Sequence, residues 1–145
     1  MRGVAVALWL LAALVADGAP APFPKPARRA TDLQRLQGEW LLVRANGTPH
    51  AGDRITATIA GGRMTLRQRG RRDAEFEYHI ELNPNTSPTR LDRHYADGKG
   101  LHSPGIYRIE GDTLTLVTGR TVGSPRPDDL EPSEKHNHLV LQRIR

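Results

Sequence analysis

The chain has 145 residues, a length that suits one domain with a single hydrophobic core. It contains no cysteine, which excludes disulfides, thiolate catalysis, zinc–thiolate sites and lipid attachment through an N-terminal cysteine. The net charge is +5 and 18 of the 21 basic residues are arginine, but acidic residues are interspersed and no aromatic-flanked basic stripe occurs, so we expect no nucleic-acid partner.

The first 18 residues have the pattern of a signal peptide. Arg2 supplies a short positive region, residues 4–16 form an uncharged apolar run too short to span a bilayer comfortably, and small residues precede a cleavage site after Gly18. We therefore expect an exported protein, periplasmic or extracellular, with no transmembrane segment after cleavage; an uncleaved membrane anchor is the alternative. Residues 19–30 are rich in proline and predict an extended linker.

The domain that follows, residues 31–145, is predicted to begin with a short helical turn. Thr31 or the aspartate after it can accept hydrogen bonds from free backbone N–H groups at the start of that turn, with Leu33 and Leu36 facing inward. Gly38 ends the turn, and the first strand then runs to an Asn-Gly pair that is typical of a tight turn.

From this Asn-Gly pair onward the apolar residues recur with a period of two. In the stretch AEFEYHIEL, residues 74–82, every second residue is apolar, which predicts a half-buried antiparallel strand. Turns separate about eight such strands, and residues 119–135 form the longest irregular segment. Because no helices alternate with the strands, we predict an all-β fold, an eight-stranded antiparallel up-and-down barrel with a short N-terminal helical turn; a two-sheet sandwich is the alternative.

Three motifs in chain order resemble those of a known family. They are LQGEW at residues 36–40, GIYRIEGDTLTL at residues 105–116, and an Arg-Pro pair at residues 126–127 that precedes a last strand ending in LVLQR. In this order they resemble the bacterial lipocalin-like domain of unknown function that is expanded in planctomycetes, over residues 33–145. Family members often carry a cysteine after the second motif and an aromatic residue after the Arg-Pro pair; this chain has neither, so nothing that depends on that cysteine is carried over.

The resemblance implies a lipocalin-like barrel with one end closed by a tryptophan. Trp40 would plug that end, Gly38 would permit the turn before it, and Arg143 or Arg145 would cover the indole ring in a cation–π contact. The resemblance supplies no catalytic residues.

The interior of the barrel is the main candidate for a binding site, because an eight-stranded barrel is either filled by side chains or has room for one small ligand. Our first hypothesis is an exported, non-enzymatic monomer, without a cofactor, that binds a small apolar or amphipathic ligand. The alternative is a structural or interaction module with a filled barrel, whose basic surface contacts an anionic component of the cell envelope. The candidate cavity residues are Leu42, Phe76, Tyr78, Ile80, Tyr107, Leu114 and Leu116.

Two histidine patterns are weaker candidates for chemistry. His136 and His138 would share one face of the last strand, which makes them a half-site for a transition metal. His102 and Ser103 are adjacent, so strand geometry turns them to opposite faces and argues against a catalytic pair. We therefore expect no enzyme activity.

A cluster of arginines crowds one predicted hairpin. Its members are Arg63, Arg67, Arg69, Arg71 and Arg72. They can contact an anionic surface, or they can pair with the neighbouring strand as a solvated face. We favour the second interpretation, because the next strand carries glutamates on its polar face.

Overall fold

The computed structural model describes residues 30–99, 102–121 and 123–145. The predicted signal peptide, residues 1–18, and residues 19–29 of the predicted linker lie outside the described residues. Within the three described ranges, no helix is long and apolar enough to cross a bilayer. The elements are α1 (Asp32–Leu36), β1 (Gly38–Ala45), β2 (Thr48–Pro49), β3 (Arg54–Ala60), β4 (Arg63–Arg69), β5 (Ala74–Asn83), β6 (Arg90–Tyr95), β7 (His102–Ser103), β8 (Gly105–Glu110), β9 (Thr113–Gly119) and β10 (His136–Arg143).

Eight of these strands close into an antiparallel up-and-down barrel, which confirms the predicted fold class. Neighbours pair in the order β1, β3, β4, β5, β6, β8, β9 and β10, and β10 pairs back with β1. Because the ring is closed, it has no free edge between its first and last strands, and the two-sheet sandwich is excluded. The short strands β2 and β7 pair with β1 and β6 respectively.

β7 and β8 act as one strand that is interrupted at Pro104. The pairs Arg93–Ser103 and Arg90–Ile106 share one register against β6, and no paired residues lie between them. Proline has no N–H group to donate, so the backbone ladder breaks at this point. This junction, which we call the β6–β8 seam, is the least paired part of the ring in the described residues.

α1 covers one end of the barrel, which we call the closed end. Thr31 caps the helix: its hydroxyl accepts a hydrogen bond from the Gln34 N–H, and the Gln34 side chain accepts one from the Thr31 N–H. Leu36 is completely buried, but Leu33 is 38% exposed, so its predicted inward position is wrong. A helix of five residues makes little more than one turn, and Leu33 lies on its outer edge near Pro84.

The closure contact, formed by Trp40 and Arg143, joins the first and last strands of the barrel at this end. The two residues pair in register, and the guanidinium carbon of Arg143 lies 4.2 Å from the centre of the indole ring. Trp40 is completely buried, and its Nε1 donates a hydrogen bond of 2.8 Å to the carbonyl of Leu36. Arg143 also donates to the carbonyl of Gln37 at 2.6 Å, so the contact holds α1, β1 and β10 together.

Gly38 and Arg145 flank the closure contact in different ways. Gly38 has a φ of +116°, which side chains disfavour, and a Cβ at this position would lie 3.2 Å from Nη1 of Arg143. Arg145, the other predicted cover, pairs instead with Asp112 at 2.6 Å in the turn between β8 and β9. Arg143 is therefore the residue that lies over the indole ring.

Mostly aliphatic side chains fill the barrel next to the closure contact. The buried core includes Leu42, Ala57, Ile59, Met64, Ile80, Leu91, Tyr107, Leu114, Leu116 and Leu141. Since this core is packed against the closed end, a site inside the barrel has to be reached from the opposite end, which we call the open end.

Replacing Trp40 with alanine should lower the free energy of unfolding by about 3–5 kcal/mol, because a completely buried indole is lost and a cavity remains beneath Arg143. Urea titration followed by circular dichroism measures this loss. Phe76→Ala truncates an aromatic side chain that is 47% exposed; it is the matched control and should cost less than about 1.5 kcal/mol. A loss below about 1 kcal/mol for Trp40→Ala would contradict the plugging role of the indole.

Candidate functional site: a pocket at the open end of the barrel

A pocket of about 310 Å³ lies inside the barrel at its open end. Its apolar and aromatic wall is formed by Leu66, Phe76, Tyr78, Tyr95 and Leu139. Polar groups reach it from β6, β7, β9 and β10, and Arg93 is the deeply buried charged group among them. A cavity with apolar walls and a few polar groups is the usual form of a small-molecule site.

The predicted cavity residues divide between this pocket and the core. Phe76 and Tyr78 line the pocket; Tyr78 is buried, whereas Phe76 stands at the rim near the start of β5 and is about half exposed. The other predicted residues, which lie in the packed core, are Leu42, Ile80, Tyr107, Leu114 and Leu116. They fill the barrel and do not line the cavity. The alternation of apolar and polar residues predicts which side chains of a strand face inward, but it does not predict how far along the barrel axis each one lies.

Tyr107 shows how the closed end is fastened. Its ring is buried, and its hydroxyl donates a hydrogen bond of 2.6 Å to the carboxylate of Asp32 on α1. Burial and this carboxylate together raise the pKa of Tyr107 above its ordinary value, so the hydroxyl keeps its proton at neutral pH. Tyr107 therefore connects β8 to α1 and does not contact the pocket.

Arg93 reaches the pocket wall from the inward face of β6. Its side chain is only 8% exposed, and its Nη2 donates to the hydroxyl of Ser103 at 3.3 Å and to that of Thr118 at 3.2 Å. Its guanidinium carbon lies 4.8 Å from the centre of the Tyr78 ring. Its Nε is buried and has no hydrogen-bond partner among the described residues.

The charge of Arg93 is not matched by a carboxylate in the described part of the chain. Burial lowers the pKa of Arg93 from its ordinary value, but a guanidinium keeps its proton at neutral pH. Burial also raises the pKa of Tyr78 to about 12, so the nearest ring stays uncharged and cannot neutralise the guanidinium. The pocket wall therefore carries a buried positive charge, and the described residues stabilise it only through hydroxyls and an aromatic face.

The outer clip, formed by Asp92, Arg126 and Gly105, crosses the β6–β8 seam on the outside of the barrel. Both terminal nitrogens of Arg126 donate to the Asp92 carboxylate, and Arg126 also donates to the carbonyl of Gly105 at 2.8 Å. His102 Nε2 lies 3.2 Å from the same carboxylate. Burial opposes ionisation of Asp92, but the hydrogen bonds from Arg126 and His102 outweigh it and hold the pKa of Asp92 below its ordinary value.

His102 and Ser103 point to opposite faces of the barrel wall. His102 lies at the edge of the pocket lining, with its ring turned to the outer side, where it contacts Asp92 and stacks on His94 with ring centres 4.7 Å apart. Ser103 faces the pocket and accepts the hydrogen bond from Arg93. The two side chains therefore do not form a nucleophile–base pair.

His136 and His138 lie on the outer face of β10 in different surroundings. His136 Nδ1 lies 3.1 Å from the hydroxyl of Ser133, whereas His138 is buried and its Nδ1 has no partner among the described residues. Across residues 30–99, 102–121 and 123–145, no group of three or more His, Asp or Glu residues is arranged to hold a metal ion. Described residues therefore do not complete this half-site.

The arginine-rich hairpin is largely occupied by internal contacts. Its ion pairs are Arg63–Glu77, Arg67–Glu75 and Arg69–Asp73. The backbone N–H groups of Arg71 and Arg72 donate to Asp53, and these hydrogen bonds, led by that of Arg71, hold the pKa of Asp53 below its ordinary value. The pairs are exposed and contribute little stability individually, but they offset much of the positive charge that the sequence concentrates in this hairpin.

Sequence analysis did not identify Arg93, Asp92 or Arg126 as site residues. The stretch RLDRHY places Arg93 between Leu91 and Tyr95 on one face of β6, so an arginine on an inward row was a signal that the sequence contained. The Asp92–Arg126 pair carries no such signal, because it joins a strand to a distant segment without periodicity.

Comparison of the chain with family models, with curated proteins and with solved structures gave no match. The lipocalin-like resemblance of the three motifs therefore stays a prediction.

Replacing Asp92 with asparagine should lower the free energy of unfolding at neutral pH by about 1–3 kcal/mol, because Arg126 loses a charged acceptor. The folded-state pKa of Asp92 lies below its unfolded value of about 3.9, so its contribution is present above that pH and is lost as the pH falls through the folded-state pKa. In urea titrations, the free energy of unfolding of the wild type should exceed that of Asp92→Asn by more at about pH 7 than at about pH 3.

The matched control is Asp128→Asn, which removes an exposed carboxylate from the segment that carries Arg126. Its free energy of unfolding should equal that of the wild type both at about pH 7 and at about pH 3. If Asp92→Asn lowers the free energy of unfolding by the same amount at both pH values, the role of the ionised carboxylate in the outer clip is contradicted.

Proposed function

We propose that the protein is an exported, non-enzymatic, lipocalin-like barrel that binds one small amphipathic ligand in the pocket at its open end. The observation that carries this proposal is the pocket itself, about 310 Å³ in volume, lined in comparable parts by apolar or aromatic groups and by polar groups, with one buried guanidinium. A barrel that served only as a scaffold could be packed along its whole length, as protein interiors normally are. A barrel that is packed at one end and hollow at the other suits a ligand.

The size of the pocket limits the ligand. Pockets for small molecules span roughly 300–1,000 Å³, so this one is at the small end of the range. It corresponds to on the order of ten water molecules at about 30 Å³ each. An enclosed ligand therefore has a compact body, such as one or two fused aromatic rings or a short aliphatic chain. Anything longer would extend past Phe76 at the rim.

Each further part of the proposal has its own support. Export is supported by the sequence, through the apolar run at residues 4–16 and the small residues before the cleavage site. The lipocalin-like character is supported by the order of the motifs and by the meeting of Trp40 with Arg143, which the resemblance implies. A non-enzymatic role is supported by the engagement of Ser103 with Arg93, since its neighbouring histidine faces the other side of the wall.

The alternative function is a filled barrel that contacts an anionic envelope component through the arginine-rich hairpin. Two observations place it second. Three arginines of that hairpin already pair with carboxylates, which reduces the charge available to a partner. In addition, a surface-contact role gives no reason for a hollow open end with a charged wall.

The purified protein should bind the neutral fluorescent probe N-phenyl-1-naphthylamine at one saturable site, with the naphthalene in the pocket and the phenyl ring at the rim beside Phe76. Asn137 of β10 lines the pocket, so Asn137→Trp should fill the cavity and weaken binding by at least roughly tenfold. Gln142→Trp places the same ring on the exposed outer face of β10 and is the matched control, which should bind like the wild type. Fluorescence titration measures each affinity.

Two results would count against this proposal. One is the absence of saturable binding by a protein whose circular dichroism spectrum shows a folded β structure. The other is an equal loss of affinity in Asn137→Trp and Gln142→Trp, which would place the probe outside the pocket.

A further inference from the structure

The contacts that Arg93 makes within the protein do not explain why its charge is buried in the pocket wall. Arg93 is 8% exposed, it lines the cavity, and its hydrogen bonds to described residues all run from Nη2 to neutral hydroxyls. Nε is buried and has no hydrogen-bond partner in the part of the chain that the structure describes. Removing a charge from water has a large desolvation cost, and buried charges are therefore normally paired. The fold keeps this unmatched charge at the wall of its pocket.

A purely structural role for Arg93 does not account for its charge. Its Nη2 connects β6 to Ser103 on β7 and to Thr118 on β9, so the side chain does bridge strands near the β6–β8 seam. A neutral amide could donate the same kind of hydrogen bond to these hydroxyls without the cost of burying an ion. The positive charge itself therefore points to a negative partner from outside the chain.

We propose that the pocket selects a monoanionic carboxylate with a compact apolar body, and that Arg93 binds the carboxylate group. This inference rests on the proposed function and names the ligand class of the same pocket. A planar guanidinium carries N–H donors on each of its nitrogens, arranged to match a carboxylate, and the described hydrogen bonds use only Nη2. Nε has no accessible surface, so the donor that a ligand in the pocket can reach is Nη1, which makes no hydrogen bond to the described residues.

The count of charges favours a carboxylate over a phosphate. The nearest carboxylate in sequence, Asp92, faces outward and is held by Arg126. Among the described residues that line the pocket, Arg93 is the one buried charge, because the other arginine, Arg120, is exposed at the rim, where solvent and salt screen it. One carboxylate neutralises one guanidinium. A phosphate monoester carries more than one negative charge at neutral pH and would bring uncompensated charge into a buried site. A neutral ligand would leave the charge of the guanidinium without a counter-charge.

The rest of the pocket suits the two parts of such a ligand. Leu66, Tyr78 and Leu139 provide apolar surface for its body. The hydroxyls of Ser103 and Thr118 accept from Arg93 and still carry a proton that each can donate to a carboxylate oxygen. At the rim, the exposed side chain of Arg120 adds positive potential that attracts an anion to the opening.

The test compares 2-naphthoate with its neutral isostere 2-naphthamide, each titrated into the full protein near neutral pH by displacement of N-phenyl-1-naphthylamine. The carboxylate should bind roughly 10–100-fold more tightly, because hydrogen bonds to an ionised acceptor are the stronger kind. Equal affinities would overturn the carboxylate inference and leave the proposed function standing. No saturable binding of the probe or of either naphthalene would overturn both.

A third ligand and three variants test whether the preference for carboxylate over amide depends on Arg93. The phosphate ester 2-naphthyl phosphate should bind more weakly than 2-naphthoate, and tighter binding would overturn the carboxylate assignment. Arg93→Gln should reduce the preference for carboxylate over amide to within about twofold, and Arg93→Lys should keep part of it. The matched control is Arg108→Gln, which removes an exposed outer arginine of β8 and should keep the whole preference. An unchanged preference in Arg93→Gln would overturn the role of Arg93.

Thermal unfolding separates ligand binding from strand bridging. Without ligand, Arg93→Gln should have a Tm at or above that of the wild type, because an unmatched buried charge has been removed. Added 2-naphthoate should raise the Tm of the wild type by more than that of Arg93→Gln, whose pocket keeps only its apolar contacts with the ligand. A Tm of Arg93→Gln that lies several degrees below the wild type, with no ligand-induced shift in either protein, would identify Arg93 as a structural bridge and overturn the inference.

Discussion

The contact between Trp40 and Arg143 is the constraint on which the rest of the structure depends. It joins the first barrel strand to the last, at the place where the ring of eight paired strands closes. The same guanidinium donates to the carbonyls of Arg35 and Gln37, which fixes α1 over that end of the barrel. One interaction thus determines the closed ring, the covered end and the direction from which the interior can be reached.

The closed end is regularly packed, and the interrupted strand pairing and the buried charge lie at and near the open end. The β6–β8 seam is interrupted at Pro104, and the outer clip of Asp92, Arg126 and Gly105 holds it from outside. On the inner side of the same seam, Arg93 and Ser103 face each other across the wall of the pocket. A continued ladder and an apolar side chain at this inward position would favour stability, and departures of this kind are expected at functional or strained sites.

Alternation of residues predicted the strands, their faces and the fold class, because a period of two is a local property of the backbone. It could not predict depth. Phe76 and Ile80 share one row of β5, yet Phe76 is about half exposed at the rim and Ile80 is buried in the core. Depth depends on the tilt and stagger of strands, which a periodic pattern does not contain. The contact of Arg126 with Asp92 was equally inaccessible, since it comes from a segment without any period.

The packed core and the charged pocket wall are connected through stability. A buried guanidinium without a carboxylate opposes folding, and in a marginally stable domain the packing around Trp40 has to offset that cost. Such a cost persists only where the charge is needed, because a neutral amide could bridge Ser103 and Thr118 more cheaply. The cavity, the accessible end of the barrel and this guanidinium coincide at one place. Under the proposed function, Arg93, where β6 departs from its apolar row, is the position that specifies the ligand.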